Sequence, residues 1–334
     1  MKKIILLILI MFLGGCYDYR ELNNMAVIDG IAIDYKDNEY EVKLEVIKVK
    51  KGKDGQEIES EILEAKDKLL SDAFYKATKK SNKEAYLGHV SLLVISEELA
   101  NNGINDVMDY VLRDIQISND YSIVISDNMD LFDIESKDQS ISQKIVNTLD
   151  VTLGKGNSVT IDMVGNQLLN DNKDLVIPYL DINEDEVKIN KIGYFKKDKL
   201  ENVIDSRIYN FLMLEKIDIN FSDGNNVINV FDKNIKFDVK KDKVIIDISC
   251  SGKVMDIDKE YNLNKGSSYI KLERLIGDNI KEEVNKFIKE YKDLIGINDM
   301  YYRKYSKEKD ISNVEVKVDL KISKNGAIYE VLDD

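Results

Sequence analysis

Residues Gly88–Ser126 read GHVSLLVISEELANNGINDVMDYVLRDIQISNDYSIVIS. Val90 to Ile95 is an apolar stretch of strand length, and Ser96 after it is a natural helix N-cap. Glu97 and Glu98 then fall in the first turn, where carboxylates suit the helix dipole. The helix restarts after Gly103 with Val107, Met108, Val111 and Leu112 as its expected buried face. Tyr121 to Ser126 is a second apolar strand. Strand, helix, strand at this spacing predicts a right-handed crossover with two parallel strands, and it makes the first half of the chain mixed α/β.

On the N-terminal side, Met25 to Asp34 reads as an apolar strand interrupted by Gly30. Tyr40 to Lys50 alternates around Val42, Leu44 and Val46, which predicts a strand with one wet face. Ser60 to Lys80 carries apolar residues at helical spacing, Ile62, Leu63, Leu69, Leu70, Ala73, Phe74 and Ala77, and predicts a helix. On the C-terminal side, helices are expected over Ser140–Leu149 and Thr160–Leu169, followed by a strand at Leu175–Leu180. The acidic stretch Asp181 to Glu186 (DINEDE) reads as a solvated linker, and the domain boundary is placed there: residues 16–186 form an N-terminal α/β region, 187–334 a second domain.

That second domain has a different pattern. Lys188 to Val203 predicts a hairpin turning at Lys197-Asp198. Strands follow at Val227–Phe231, Ile235–Val239 and Val244–Val254. One long helix is expected from about Ser267 to Leu294, with Ile270, Leu272, Leu275, Ile276, Ile280, Val284, Phe287 and Ile288 among its apolar positions. Val314, Val316, Val318, Leu320 and Ile322 alternate cleanly, and Lys324-Asn325-Gly326 signals a further hairpin. The fold class is therefore α+β: a mixed N-terminal region with a βαβ crossover, then a mainly antiparallel sheet with one long helix.

The N-terminus MKKIILLILIMFLGGC adds an address. Two lysines, a short apolar core and small residues before a cut point are the parts of a secretory signal peptide. Leu13-Gly14-Gly15-Cys16 has the form of a lipobox, so residues 1–15 are read as signal peptide and Cys16 as the lipidated first residue of the mature chain. The apolar run is well short of the about 20 residues needed to span a bilayer. The diacylglycerol and acyl chains on Cys16 would be the only attached groups, and no cofactor is expected.

Net charge is −14, from 48 basic and 62 acidic residues, which argues against nucleic acid or an anionic surface as partner. Lipidation of Cys16 leaves Cys250 alone in an apolar stretch, where it is expected to pack as a small buried hydrophobe. The single histidine, His89, makes a His-rich metal site or a nucleophile–His–acid triad a poor fit; at the head of a strand it reads as a structural hydrogen-bonding residue. Gly154-Lys155-Gly156 is a turn, lacking the strand-then-helix setting of a dinucleotide loop. Nothing in these motifs demands an enzyme.

Three blocks carry a family resemblance. Cys16-Tyr17-Asp18, Arg20-Glu21-Leu22-Asn23 and Ala26 to Asp34 (AVIDGIAID) form the first. Gly88-His89-Val90 with its strand, Glu97-Glu98-Leu99-Ala100, Gly103-Ile104 and Leu112-Arg113-Asp114 form the second, and Ile192-Gly193 with its hairpin the third. Together they resemble the Ger(x)C family, the C-subunit lipoproteins of spore germinant receptors. The resemblance implies a non-enzymatic subunit on the outer face of the spore inner membrane, with integral-membrane A-type and B-type partners and a possible nutrient germinant. It also marks Asp18, Glu21, Asn23, Gly30, Asp34, Gly88, His89, Arg113 and Asp114 as structural or partner-facing motif residues. Arg113 and Asp114 are expected to end the helix and dock the crossover. The competing reading is an extracytoplasmic solute-binding lipoprotein of a transporter, which the antiparallel second half disfavours.

Overall fold

The computed structural model describes residues 24–51, 56–113, 120–134, 136, 139–169, 174–183, 186–263 and 265–323. Cys16, Asp18, Glu21, Asn23 and Asp114 lie outside these, as do the signal peptide and the hairpin expected at 324–326. The described residues are α+β, with one nine-stranded and one four-stranded sheet.

The expected crossover is present. β5 (Leu92–Ser96) and β6 (Ser122–Ser126), numbered in chain order, pair in parallel, with α2 (Glu97–Asn102) and α3 (Asn105–Arg113) between them. Ser96 Oγ accepts from the Leu99 N–H at 3.0 Å, and Gly103 ends α2 with φ of +125°, a value that only glycine adopts freely. The buried face of α3 is Val107, Met108 and Val111; Leu112 is exposed and lies instead against Gly165.

β1 (Met25–Lys36) sits beside β5 in parallel and pairs on its other side with β2 (Glu39–Lys51) across a tight turn, where Asp37 and Asn38 both have positive φ. β4 (Glu84–Tyr86) also pairs with the start of β1. The helix expected over Ser60–Lys80 is divided. Its first part is β3 (Gln56–Asp67), antiparallel to β2 from Tyr40↔Asp67 to Lys51↔Gln56, and only Leu70–Thr78 is helical (α1). Leu63 and Ala65 are buried two positions apart, as a strand requires, and pairing along the whole of β2 overrides helix propensity.

Beyond β6 come α4 (Ile141–Leu153), α5 (Ile161–Leu168), β7 (Leu175–Asn183), β8 (Glu186–Lys196) and β9 (Lys199–Asp205). The large sheet runs β3-β2-β1-β5-β6-β7-β8-β9. Strand alternation divides its core into two layers. Ile31, Ile33, Leu93, Ile95, Ile123 and Ile125 pack with α1, α2, α3 and α5. Ala32, Leu92, Val94 and Val124 pack on the opposite face with α4 and the short turn at Leu131–Asp133. The acidic 181–186 stretch lies at the β7–β8 hairpin, so the sheet is continuous across it. The β8–β9 hairpin turns at Lys197, as expected.

The second sheet has order β10-β11-β12-β13: Ile219–Ser222, Val227–Val239, Val244–Asp256 and Val314–Ile322. The two strands expected within 227–239 are one, broken in register by a bulge at Asp232, whose φ is 46°. The long helix is α7 (Gly266–Tyr291); with α8 (Ile297–Tyr305) it carries the chain across to β13, which joins β12 in parallel. Its buried stripe is Tyr269, Leu272, Ile276, Ile280, Val284, Phe287 and Ile288. Ile270 and Leu275 fall off that stripe and are exposed. This core also takes in α6 (Arg207–Met213) and, from the large sheet, Val176 and Ile192, so β7 and β8 serve both cores.

Candidate functional site

The motif residues among those described do not converge on one pocket, but two of the blocks meet through their neighbours. Asp29, one position before Gly30, sits at a bulge in β1 and is almost fully buried. Its carbonyl oxygen accepts from the Ser91 N–H at 2.8 Å, and its Oδ1 accepts from Ser91 Oγ at 2.8 Å. Ser91 follows Gly88-His89-Val90, so the first motif block is tied to the second here. The other oxygen of Asp29 accepts from the hydroxyl of Ser140, which also caps α4 by accepting from the Gln143 N–H at 3.0 Å.

A second buried carboxylate completes the cluster. Glu45 of β2 is fully buried. Its Oε1 accepts from Ser60 Oγ at 2.7 Å and from the Ile141 N–H at 2.8 Å; its Oε2 accepts from the Ser142 N–H at 3.0 Å and Ser142 Oγ at 2.5 Å. A helix N-terminus leaves its first N–H groups without intrahelical partners and carries partial positive charge, so a buried carboxylate is well accommodated there. Gly30 provides the clearance: a Cβ at this position would overlap the Ser142 hydroxyl and stand 2.8 Å from the Phe132 ring. Asp29, Gly30 and Glu45 thus dock the first turn of α4 onto β1 and β2.

The face of β2 expected to be wet is therefore covered. Lys43 on that face is also buried and reaches Asp130 at 2.5 Å. Burial is the largest single influence and works against its charge, but the hydrogen bond to Asp130 together with the charges of Asp130, Glu41 and Asp133 outweighs it and raises the pKa. Sequence reasoning missed Asp29, Glu45, Ser91, Ser140 and Ser142 as a group. Their one local signal is Asp29 within the apolar run of β1; in β2, Glu45 is one charged residue among several.

The remaining motif residues are dispersed. Asp34 is half-buried near the end of β1, where its Oδ1 accepts from the Tyr35 N–H at 2.8 Å. Gly88 lies against the Tyr86 ring. His89 is exposed in the turn before β5, and its ring makes no hydrogen bond among the described residues, contrary to the structural bonding role expected for it. Arg113 does close α3, but its guanidinium pairs at 2.7 Å with Asp109, one turn back on the same helix, and among the described residues it makes no ion pair that docks the crossover. Among the described residues no group of three His, Cys, Asp or Glu could hold a metal, and no helix is long and apolar enough to cross a membrane.

Two open clefts flank the 214–218 segment that follows α6. One, of about 790 Å³, lies between that segment and the bulged part of β11 and has Lys233 in its wall. The other, of about 590 Å³, lies toward α4 and β8 and is lined by Asn190, Ser206, Arg207 and Asn210.

Two family models match in sequence order: "Spore germination protein N-terminal domain" over residues 18–182 and "Spore germination B3/ GerAC like, C-terminal" over 190–326. The chain belongs to the Ger(x)C spore germination family. Asp29, Glu45 and the α4 cap all lie within the first matched region, and both the Lys233 cleft and α7 within the second. The chain is similar to "Spore germination protein KC" of Bacillus subtilis (strain 168), 23% identical and covering 91% of this chain and 88% of that one. It is likewise 23% identical to "Spore germination protein GerQC" of Bacillus cereus, covering 98% of this chain and 99% of that one. The crystal structure of the GerBC protein aligns over 91% of this chain and 99% of its own, at 13% identity and a TM-score of 0.49.

Proposed function

We propose that this family member is the C-type subunit of a spore nutrient-germinant receptor, held by lipid at Cys16 to the outer face of the spore inner membrane. It acts without catalysis, through contacts with integral-membrane A-type and B-type subunits. The observation that carries this reading is the ordered match of both germination domains across residues 18–326. The lipobox Leu13-Gly14-Gly15-Cys16 supports the anchor. Several acyl chains on one residue, each methylene contributing about 0.8 kcal/mol, would give durable membrane attachment. Attachment raises the effective concentration of partners in the same membrane, so weak contacts suffice.

The test is capture of the lipidated protein from detergent-solubilised spore membranes, followed by identification of what comes with it. Multi-span receptor subunits are the expected companions. Recovery of a transporter permease and ATPase instead would overturn the reading in favour of a solute-binding lipoprotein. Cys16→Ala is expected to leave the fold intact and strongly lower germination. Normal germination with unprocessed protein at normal level would refute the importance of the anchor.

A further inference from the structure

The bulge in β11 turns a cation, Lys233, to the half-buried side of the strand, where unbroken alternation from Ile228 and Val230 would have put Asp232. Ile228 and Val230 face the core before it, whereas Lys233, Ile235, Phe237 and Val239 take the more buried positions after it. Asp232 and Lys233 together stand opposite the single residue Cys250 of β12. Bulges of this kind re-aim a side chain and are common beside functional sites.

Lys233 Nζ lies 5.5 Å from the centre of the Phe211 ring and donates to the Ile217 carbonyl at 3.3 Å. Among the described residues no carboxylate forms an ion pair with it at bonding distance, though the charge of Asp218 acts on it from the cleft margin. An ammonium has three N–H donors, so two are left for the cleft. The same wall carries the half-buried side chains of Met213, Leu214, Ile217, Ile235 and Phe237. A volume of about 790 Å³ suits a small molecule. Glu215, Asp218 and Asp232 at the margin disfavour a polyanion such as a phosphate ester.

We propose that this cleft binds a small monocarboxylate with an aromatic or branched-alkyl body, its carboxylate taken by Lys233 and its body by Met213, Ile217 and Phe237. The proposal stands apart from the receptor reading and survives or fails without it.

The probe is phenylacetate, titrated calorimetrically into the full-length chain in detergent, with phenylacetamide and phenyl phosphate as its uncharged and dianionic counterparts. Saturable binding of phenylacetate at one site is expected, with each counterpart weaker by about tenfold. Lys233→Met should weaken phenylacetate by about tenfold or more, and Lys233→Arg should retain it. Because Lys233→Arg keeps the charge, its retained binding separates loss of the cation from loss of the fold. No saturable binding to the wild type at millimolar probe, unchanged binding by Lys233→Met, or tightest binding of phenyl phosphate would each overturn the proposal.

Discussion

Glu45 and Ile141, 96 positions apart, are joined by a 2.8 Å hydrogen bond from the main-chain N–H of the helix to the carboxylate of the strand. The acid fills the unpartnered end of α4, and the helix end solvates an acid that β2 has taken out of water. Glu45→Ala removes the acceptor from two main-chain N–H groups and two serine hydroxyls in a dry site. Its expected cost is about 3 kcal/mol, measured by urea unfolding. Glu45→Gln should recover only part of this, because an NH₂ then faces donors. A change below about 0.5 kcal/mol for Glu45→Ala, the range of ordinary surface substitutions, would show that the cluster does not hold α4 in place.

Gly30→Ala forces a methyl group against Ser142 and Phe132. The expected loss is about 1–3 kcal/mol. The effect should not add to that of Ser142→Ala, since removing the hydroxyl relieves the overlap. Additive losses in a double-mutant cycle, read by thermal unfolding, would locate the strain elsewhere.

Burial pushes the Lys233 amine down from its ordinary range to about 8. The folded protein therefore gives up this proton before the unfolded chain does. Below pH 8 the charged, desolvated amine destabilises the fold, and that penalty is relieved as pH rises from about 8 toward the unfolded value near 10.4. Lys233→Met is expected to raise the melting temperature at pH 7, with the gap to wild type narrowing above pH 8. A gap independent of pH would mean that the gain came from packing alone.

Cys250 is buried in β12, and burial raises its thiol to about 12. The thiolate is the reactive form, so alkylation by iodoacetamide at pH 8 should proceed only through unfolding. Mass spectrometry of the Cys250 peptide across a urea titration should follow the unfolding curve. Full labelling in native buffer would contradict the burial.

Much of the architecture was legible locally. The crossover, its Ser96 cap, the Gly103 break, the Lys197 hairpin and α7 all follow from residues close in sequence. What escaped was decided by distant pairing. The β3 stretch looks helical because Ile62 and Leu63 stand seven positions before Leu69 and Leu70, two helical turns, and only pairing with β2 overrides that spacing. Lys43 and Glu45 look wet because α4 and Asp130, which cover them, come about ninety residues later. The bulge at Asp232 carries no glycine, so 227–239 read as two strands. The buried cluster shares this origin, since Asp29, Glu45, Ser91 and the 140–142 turn meet only when the sheet has formed and α4 has docked on it.

β1 has β2 along one edge and β4 and β5 along the other. With a lipid at Cys16, at most about 30 Å of extended chain separates the bilayer from Met25. Tension from the membrane would then enter the fold at a central strand and along its axis. It would load two rows of hydrogen bonds in shear, with all of them resisting together, whereas a tether on an edge strand would peel them away one at a time. A leash at Cys16 would thus be fastened to the part of the sheet best placed to bear a pull.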